Sequence, residues 1–181
     1  MQREIEQYNE KDFSGRNLRL FKEWKQIDQR CQDDKRIGYS VLKRNNVNLP
    51  VAYEIIFNIK SITGVGEKDE QGLQKPIFGD KHILHINLPN GFPAVSGFPE
   101  FMFKTKIWHP NIRYFGDFQG RVCLNLTDHG VYTPLADYLD RIVDYLQYDD
   151  YYASNEYPYP EDLRVAEWVI TQAEPNNWLE F

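Results

Sequence analysis

The chain has 181 residues, of which 41% are hydrophobic and 15% aromatic, and carries a formal net charge of −6. That length supports one domain with a substantial core and is short for two. The acidic balance and the lack of any Lys/Arg-rich run argue against a nucleic-acid surface, and no stretch has the roughly 18 apolar residues of a membrane span or the apolar core of a signal peptide. A cytoplasmic protein that meets other proteins is the expected class. Its two cysteines, Cys31 and Cys123, are far apart in sequence and read as thiols, not as a disulfide framework.

Residues 1–16 are polar, with Ile5, Tyr8 and Phe13 as anchors, and are expected to form an arm that is mobile or draped on a single domain of residues 17–181. Leu18, Phe21, Trp24, Ile27 and Cys31 then recur at three and four, which predicts an amphipathic helix over 17–32 with Ser14 or Asn17 as N-cap. Its other face carries Arg16, Arg19, Lys22, Lys25 and Arg30, a solvated face by default and a surface for an acidic partner otherwise. Cys31 falls on the apolar stripe, as a structural thiol does.

Four strands are predicted next, at Tyr39–Leu42, Ala52–Ile62, His82–Leu88 and Phe101–Ile107, in antiparallel order. The glycine-rich, charged segment Thr63–Asp80 reads as a long exposed loop, and PNGFPAVSGFP after Leu88 as a stiff irregular connector. Thr133 as N-cap and Pro134 at the first helical position predict a helix over 134–148, with Leu135, Leu139, Ile142 and Leu146 on one face. A tyrosine-rich stretch follows and reads as a loop packed on its own domain. A last helix is predicted over Leu163–Gln172. The sum is an α+β layout: N-terminal helix, four-stranded antiparallel meander, crossover helix and C-terminal helix.

The chemistry concentrates in Ile107–Leu126, IWHPNIRYFGDFQGRVCLNL. Pro110 disfavours helix at His109 and stiffens the presentation of His109 and Asn111. A cysteine is a strong nucleophile even when partly ionised, so Cys123 is a candidate acyl carrier, with Arg121 two residues before it as a candidate stabiliser of the thiolate. Asn111 offers an amide donor for an oxyanion. Each feature alone has a plainer reading: a lone Cys in VCLNL is usually core, and HPN is a turn. A metal centre at His82 and His85 is disfavoured, because residues three apart on a strand leave opposite faces.

Taken together, FGDKHILHINLPNGFPAVSGFPEFMFKTKIWHPNI, GRVCLNL and YTPLADYLDRIVDYL resemble the ubiquitin-conjugating enzymes over residues 17–148. The resemblance implies the UBC fold and no cofactor. It implies that Cys123 accepts a ubiquitin-like C-terminus as a thioester and passes it to a lysine or other amine, with Asn111 serving the oxyanion and His109 and Pro110 supporting the loop. It also implies an activating enzyme on the face of Arg16, Arg19 and Lys22, a ligase at Phe98, Pro99 and Pro134, a ubiquitin-like modifier and a protein substrate.

The chain departs from the family in several places. The 112–122 loop is longer than usual, and Val131-Tyr132 stands where a tryptophan is common. The C-terminal part is shorter than two full helices. For the polar gate residue, Asp128, Asp149, Asp150 and Asn155 compete; Asp128 is counted with Arg121 as active-site support. These departures suggest a divergent member, of the kind a prokaryotic conjugation system would hold. Two other readings stay open: an inert binding adaptor of the same fold, and a thiol hydrolase using Cys123 with His109 or His129.

Overall fold

The computed structural model describes residues 4–94, 97–124 and 133–181. Helix α1 spans Gly15–Asp33 and buries Phe21, Trp24 and Ile27 of the predicted stripe together with Leu20, which the spacing does not include, while Leu18 is half-buried. Ser14 stands at its N-cap position without a side-chain cap bond. Cys31 is half-buried, and burial pushes its thiol up to about 11, so it rests protonated.

Strands β1 (Ile37–Arg44), β2 (Pro50–Phe57), β5 (His82–Asn87) and β6 (Glu100–Phe103) form a four-stranded antiparallel sheet in that order. The register lines up Tyr39, Ile55, Leu84 and Phe103 on one face, with Val41, Tyr53, Ile86 and Phe101 in the next row. Both helices cover that face. Trp24 of α1 donates its indole N–H to the Tyr39 hydroxyl at 3.0 Å, and Tyr138 of α2 (Leu135–Gln147) meets Phe101 at 5.3 Å. His82 lies on this inner face and His85 on the outer one, where it meets Glu54.

The structure corrects the strand expected over 52–62. The chain leaves the main sheet after Phe57, and Ser61–Val65 (β3) pairs instead with Pro76–Gly79 (β4) as a separate two-stranded sheet. The supposed loop of residues 63–80 therefore contains a hairpin. It is tied to α3 (Leu163–Trp168): the Trp168 indole N–H donates to the Gln74 carbonyl at 2.9 Å, and the Gln74 N–H donates to the Gln172 side chain at 2.7 Å. After α3 the chain continues through a π-helical turn at Val169–Ala173 and a 3-10 turn at Glu174–Asn176.

The start of α2 also differs from expectation. Pro134 sits at the N-cap position with no side-chain cap, and the Leu135 N–H donates to Glu23 of α1 at 2.7 Å. Glu23 is buried, and burial raises its pKa against the opposing pull of Leu135 N–H and Arg19. One helix thus caps the other across the core, at a position where losing a cap costs about 1 kcal/mol and burying the carboxylate raises the stakes.

The arm is draped. Ile5 is buried, Tyr8 packs edge-on against Trp24 at 5.5 Å, and Glu4 pairs with Arg44 at 2.8 Å. Of the tyrosines after α2, Tyr148 is buried and Tyr151 half-buried, whereas Tyr152, Tyr157 and Tyr159 are exposed.

Candidate functional site

Residues 111–113 and 121–123 run antiparallel, so the long 112–122 connector is a hairpin. Ile112 pairs with Val122, and the Arg113 N–H donates to the Arg121 carbonyl at 2.9 Å. Gly120 closes it at φ +90°, with a Cβ there falling 2.1 Å from the Phe103 carbonyl oxygen, so no other residue fits this close approach. The register sets Asn111 opposite Cys123, and the Cys123 N–H donates to the Asn111 carbonyl at 2.8 Å. Opposed residues on such a ladder send their side chains to the same side.

Cys123 is exposed, and its carbonyl accepts from the Tyr145 hydroxyl at 3.1 Å. Burial pushes Tyr145 up to about 12, so that hydroxyl keeps its proton. Both main-chain polar groups of Cys123 are therefore held while its thiol faces outward. Asn111 is 8% exposed, and its Oδ1 accepts the Tyr152 N–H at 2.8 Å. That bond orients the amide so that Nδ2 is the group left to donate.

His109 is fully buried, which drives its pKa down from 6.5 to about 3 against the smaller pull of the Asp150 carbonyl. The ring is thus neutral. Its Nδ1 accepts the Asn111 N–H at 3.2 Å, which assigns the proton to Nε2, donated to the Asp150 carbonyl at 3.2 Å. The ring also stacks on Tyr145 at 4.7 Å. Both nitrogens are engaged and the ring has no route to a proton in solvent. This contradicts the hydrolase reading in which His109 serves as base. Pro110 gives its carbonyl to the Asp162 N–H at 2.9 Å.

Arg121 does not turn to Cys123. Its guanidinium donates to Glu161 at 2.8 and 3.0 Å and lies 5.0 Å over Phe118; Arg113 donates to the same carboxylate oxygen at 3.0 Å. Glu161 is largely buried, and a carboxylate in that position needs its cations more than an exposed thiol does. Asp128 and His129 lie outside the described residues, as do Val131 and Tyr132. Of the other gate candidates, Asp150 is joined to the site through His109 and, by its carboxylate, to Arg141 at 3.1 Å.

The residues assigned to partners fall into two groups. Arg16 donates to the Phe92 and Pro89 carbonyls at 3.0 and 3.2 Å, and Arg19 to the Thr133 carbonyl at 3.1 Å and to Glu23. These two arginines brace the connectors from within the fold. Lys22 is half exposed and pairs with Glu10 at 3.5 Å. Phe98 is exposed and lines a shallow cleft with Pro99 and Thr133, next to Pro134.

Sequence reasoning missed Tyr145, Tyr152, Arg141 and Asp162. Asp162 is 3% exposed: one carboxylate oxygen accepts the Tyr114 and Phe115 N–H groups at 2.9 and 3.2 Å, the other the Arg164 and Val165 N–H groups at the start of α3. The only sequence signal was its position before a helix, which marks an N-cap and says nothing of the hairpin.

No family model and no curated protein matches the chain. Among solved structures, human ubiquitin-conjugating enzyme E2 G1 is similar at 17% identity and a TM-score of 0.44, over 70% of this chain and 93% of that one.

Proposed function

We propose that the chain is a conjugating transferase of the ubiquitin type with a UBC-like fold. Cys123 takes the C-terminal carboxyl of a ubiquitin-like protein from an activating enzyme and hands it to an amine of a protein substrate. The observation that carries this reading is an exposed cysteine held opposite an oriented amide, beside an imidazole whose two nitrogens are already engaged. Thioester exchange is served by that combination. A thioester is already activated, so positioning and oxyanion stabilisation suffice without a general base.

In loading, the Cys123 thiol gives its proton to water and Sγ attacks the donor thioester carbonyl; a C–S bond forms to Cys123 as the donor's C–S bond breaks, and the leaving thiolate takes up a proton from water. In discharge, an amine nitrogen attacks the same carbonyl. The C–N bond forms, the C–S bond to Cys123 breaks, and the amine's surplus proton passes to water. Asn111 Nδ2 donates to the oxyanion of the tetrahedral intermediate formed in discharge. Lys22 belongs to the activating-enzyme face, with Arg16 and Arg19 shaping it from below, and Phe98, Pro99 and Pro134 to a ligase face.

The test is incubation with an activating enzyme, ATP and a ubiquitin-like protein, followed by a non-reducing gel. A reductant-sensitive adduct is expected, absent in Cys123→Ala and reductant-resistant in Cys123→Ser. Asn111→Ala is expected to load and to discharge about 100-fold more slowly, the usual cost of one oxyanion donor. No adduct with any activating enzyme and modifier set would overturn the carrier role and leave a binding adaptor.

A further inference from the structure

Arg141 projects from α2 and uses its guanidinium on two sides. It donates to the Leu124 carbonyl at 2.9 Å and to the Asp150 carboxylate at 3.1 Å, and its cation lies 5.6 Å over the Tyr145 ring. Each of these neighbours leads back to Cys123. Leu124 is the next residue in the chain, and Tyr145 holds the Cys123 carbonyl. Asp150 receives the His109 N–H, His109 receives the Asn111 N–H, and Asn111 receives the Cys123 N–H. The contacts close into a ring around the cysteine, and among the described residues Arg141 is the cation that joins its two halves.

We propose that Arg141 is the positioning residue of the transfer step: it fixes Cys123 relative to the Asn111 amide by clamping the chain on both sides of the site. This rests on the carrier reading above. Arg141 touches no reacting atom and acts through Leu124 and Asp150. Its side chain is mostly buried, where charge-assisted hydrogen bonds hold geometry better than they do in water. A planar guanidinium presents donors in fixed, divergent directions and can serve a carbonyl and a carboxylate together; an ammonium on a flexible stem holds one of the two at a time.

Two measurements test it, each on Arg141→Ala, on Arg141→Lys, and on Arg113→Ala, which breaks the Glu161 pair on the other side of the hairpin. The first is amide hydrogen exchange. Arg141→Ala is expected to lower protection of the Cys123 and Tyr152 amides at least tenfold while β2 and β5 keep theirs, with no such change in Arg113→Ala. The second is single-turnover discharge of the loaded protein onto free lysine. Arg141→Ala is expected to load normally and to lose about tenfold in the saturating rate with half-saturation by lysine unchanged; Arg141→Lys recovers part of the rate, and Arg113→Ala stays within twofold. Unchanged protection at Cys123 and Tyr152, or an equal discharge loss in Arg113→Ala, overturns the positioning role. If the parent protein forms no adduct, the carrier reading fails, and the exchange result still decides whether Arg141 sets the geometry at Cys123.

Discussion

Among the described residues two apolar clusters form, and they are built on different principles. The larger joins α1 and α2 to one face of the four-stranded sheet, with Leu20, Ile27, Ile55, Leu84 and Leu139 fully buried. The smaller gathers Ile62 from β3, Trp108 from the segment that leads to His109, and Tyr148, Trp168 and Val169 from the C-terminal region. Regular elements with a strong period make the first. Short segments make the second, and their ends are fixed by side-chain-to-backbone bonds: Trp168 to Gln74, Tyr148 to Trp108, Tyr114 to Thr63. The site lies where they meet. Ile107 and Ile112 belong to the large cluster and Trp108 to the small one, while His109 contacts Tyr145 on one side and Tyr148 on the other.

The sharpest way to test that division is a pair of truncations. Leu84→Ala and Trp168→Ala are each expected to cost about 3 kcal/mol or more, the first by leaving a cavity in the closed core and the second by removing a buried indole and its bond to the Gln74 carbonyl. The losses differ in place. Leu84→Ala lowers the midpoint of global urea unfolding, whereas Trp168→Ala exposes the β3–β4 amides to exchange first, with the main sheet still protected. Identical exchange patterns would mean one cooperative core and would dissolve the comparison.

Asp162→Asn comes next, at about 2 kcal/mol. The amide keeps the shape but turns an NH2 toward one pair of the four N–H groups the carboxylate served, leaving those donors without an acceptor. Loss of order is expected at whichever end meets the NH2, and Asp162→Ala, which removes both acceptors, is expected to disorder both the 114–119 tip and α3, measured by chemical shifts; a change confined to α3 in Asp162→Ala would reduce Asp162 to a simple cap.

His109 predicts a pH dependence of similar size. Its folded pKa is depressed from 6.5 to about 3, so the unfolded chain binds the proton more readily. The stabilisation is full above pH 6.5 and is lost as pH falls toward 3. Between pH 7 and pH 5 this amounts to about 2 kcal/mol, measurable by urea titration at the two pH values. His82, also depressed by burial, adds in the same direction, so His109→Gln should flatten the dependence without removing it. Tyr157→Ala marks the small end: the ring is 85% exposed, and stability should move by less than about 0.5 kcal/mol.

The same division decides what the sequence discloses. The period of α1 and α2 and the alternation of β1, β2 and β5 are readable because each element buries one face of one large core. Periodicity reports burial, however, and not the pairing partner. Ile59 continues the alternation of Tyr53, Ile55 and Phe57 and is buried like them, yet β2 has ended at Phe57 and the chain goes on to pair Ser61–Val65 with Pro76–Gly79. The β4 strand is four residues long with Ile77 and Phe78 exposed, so no pattern announces it. At the site, Cys123, Asn111, His109 and Pro110 stand out by residue type, and the family resemblance supplies the roles expected of them. Tyr152 acts through its main-chain N–H, which any residue but proline would supply, and Arg141 resembled one more charge on a helix.

Asp150, Tyr152 and Asp162 lie downstream of the cysteine they serve. A chain emerging from the ribosome as far as Leu146 already has the residues of the large core and a free thiol at position 123. It lacks the N–H that orients Asn111 and the carboxylate that anchors the hairpin. Translation therefore delivers the nucleophile before the surroundings that direct it, and any reaction that depends on an aligned amide waits until the residues after Leu146 have been made.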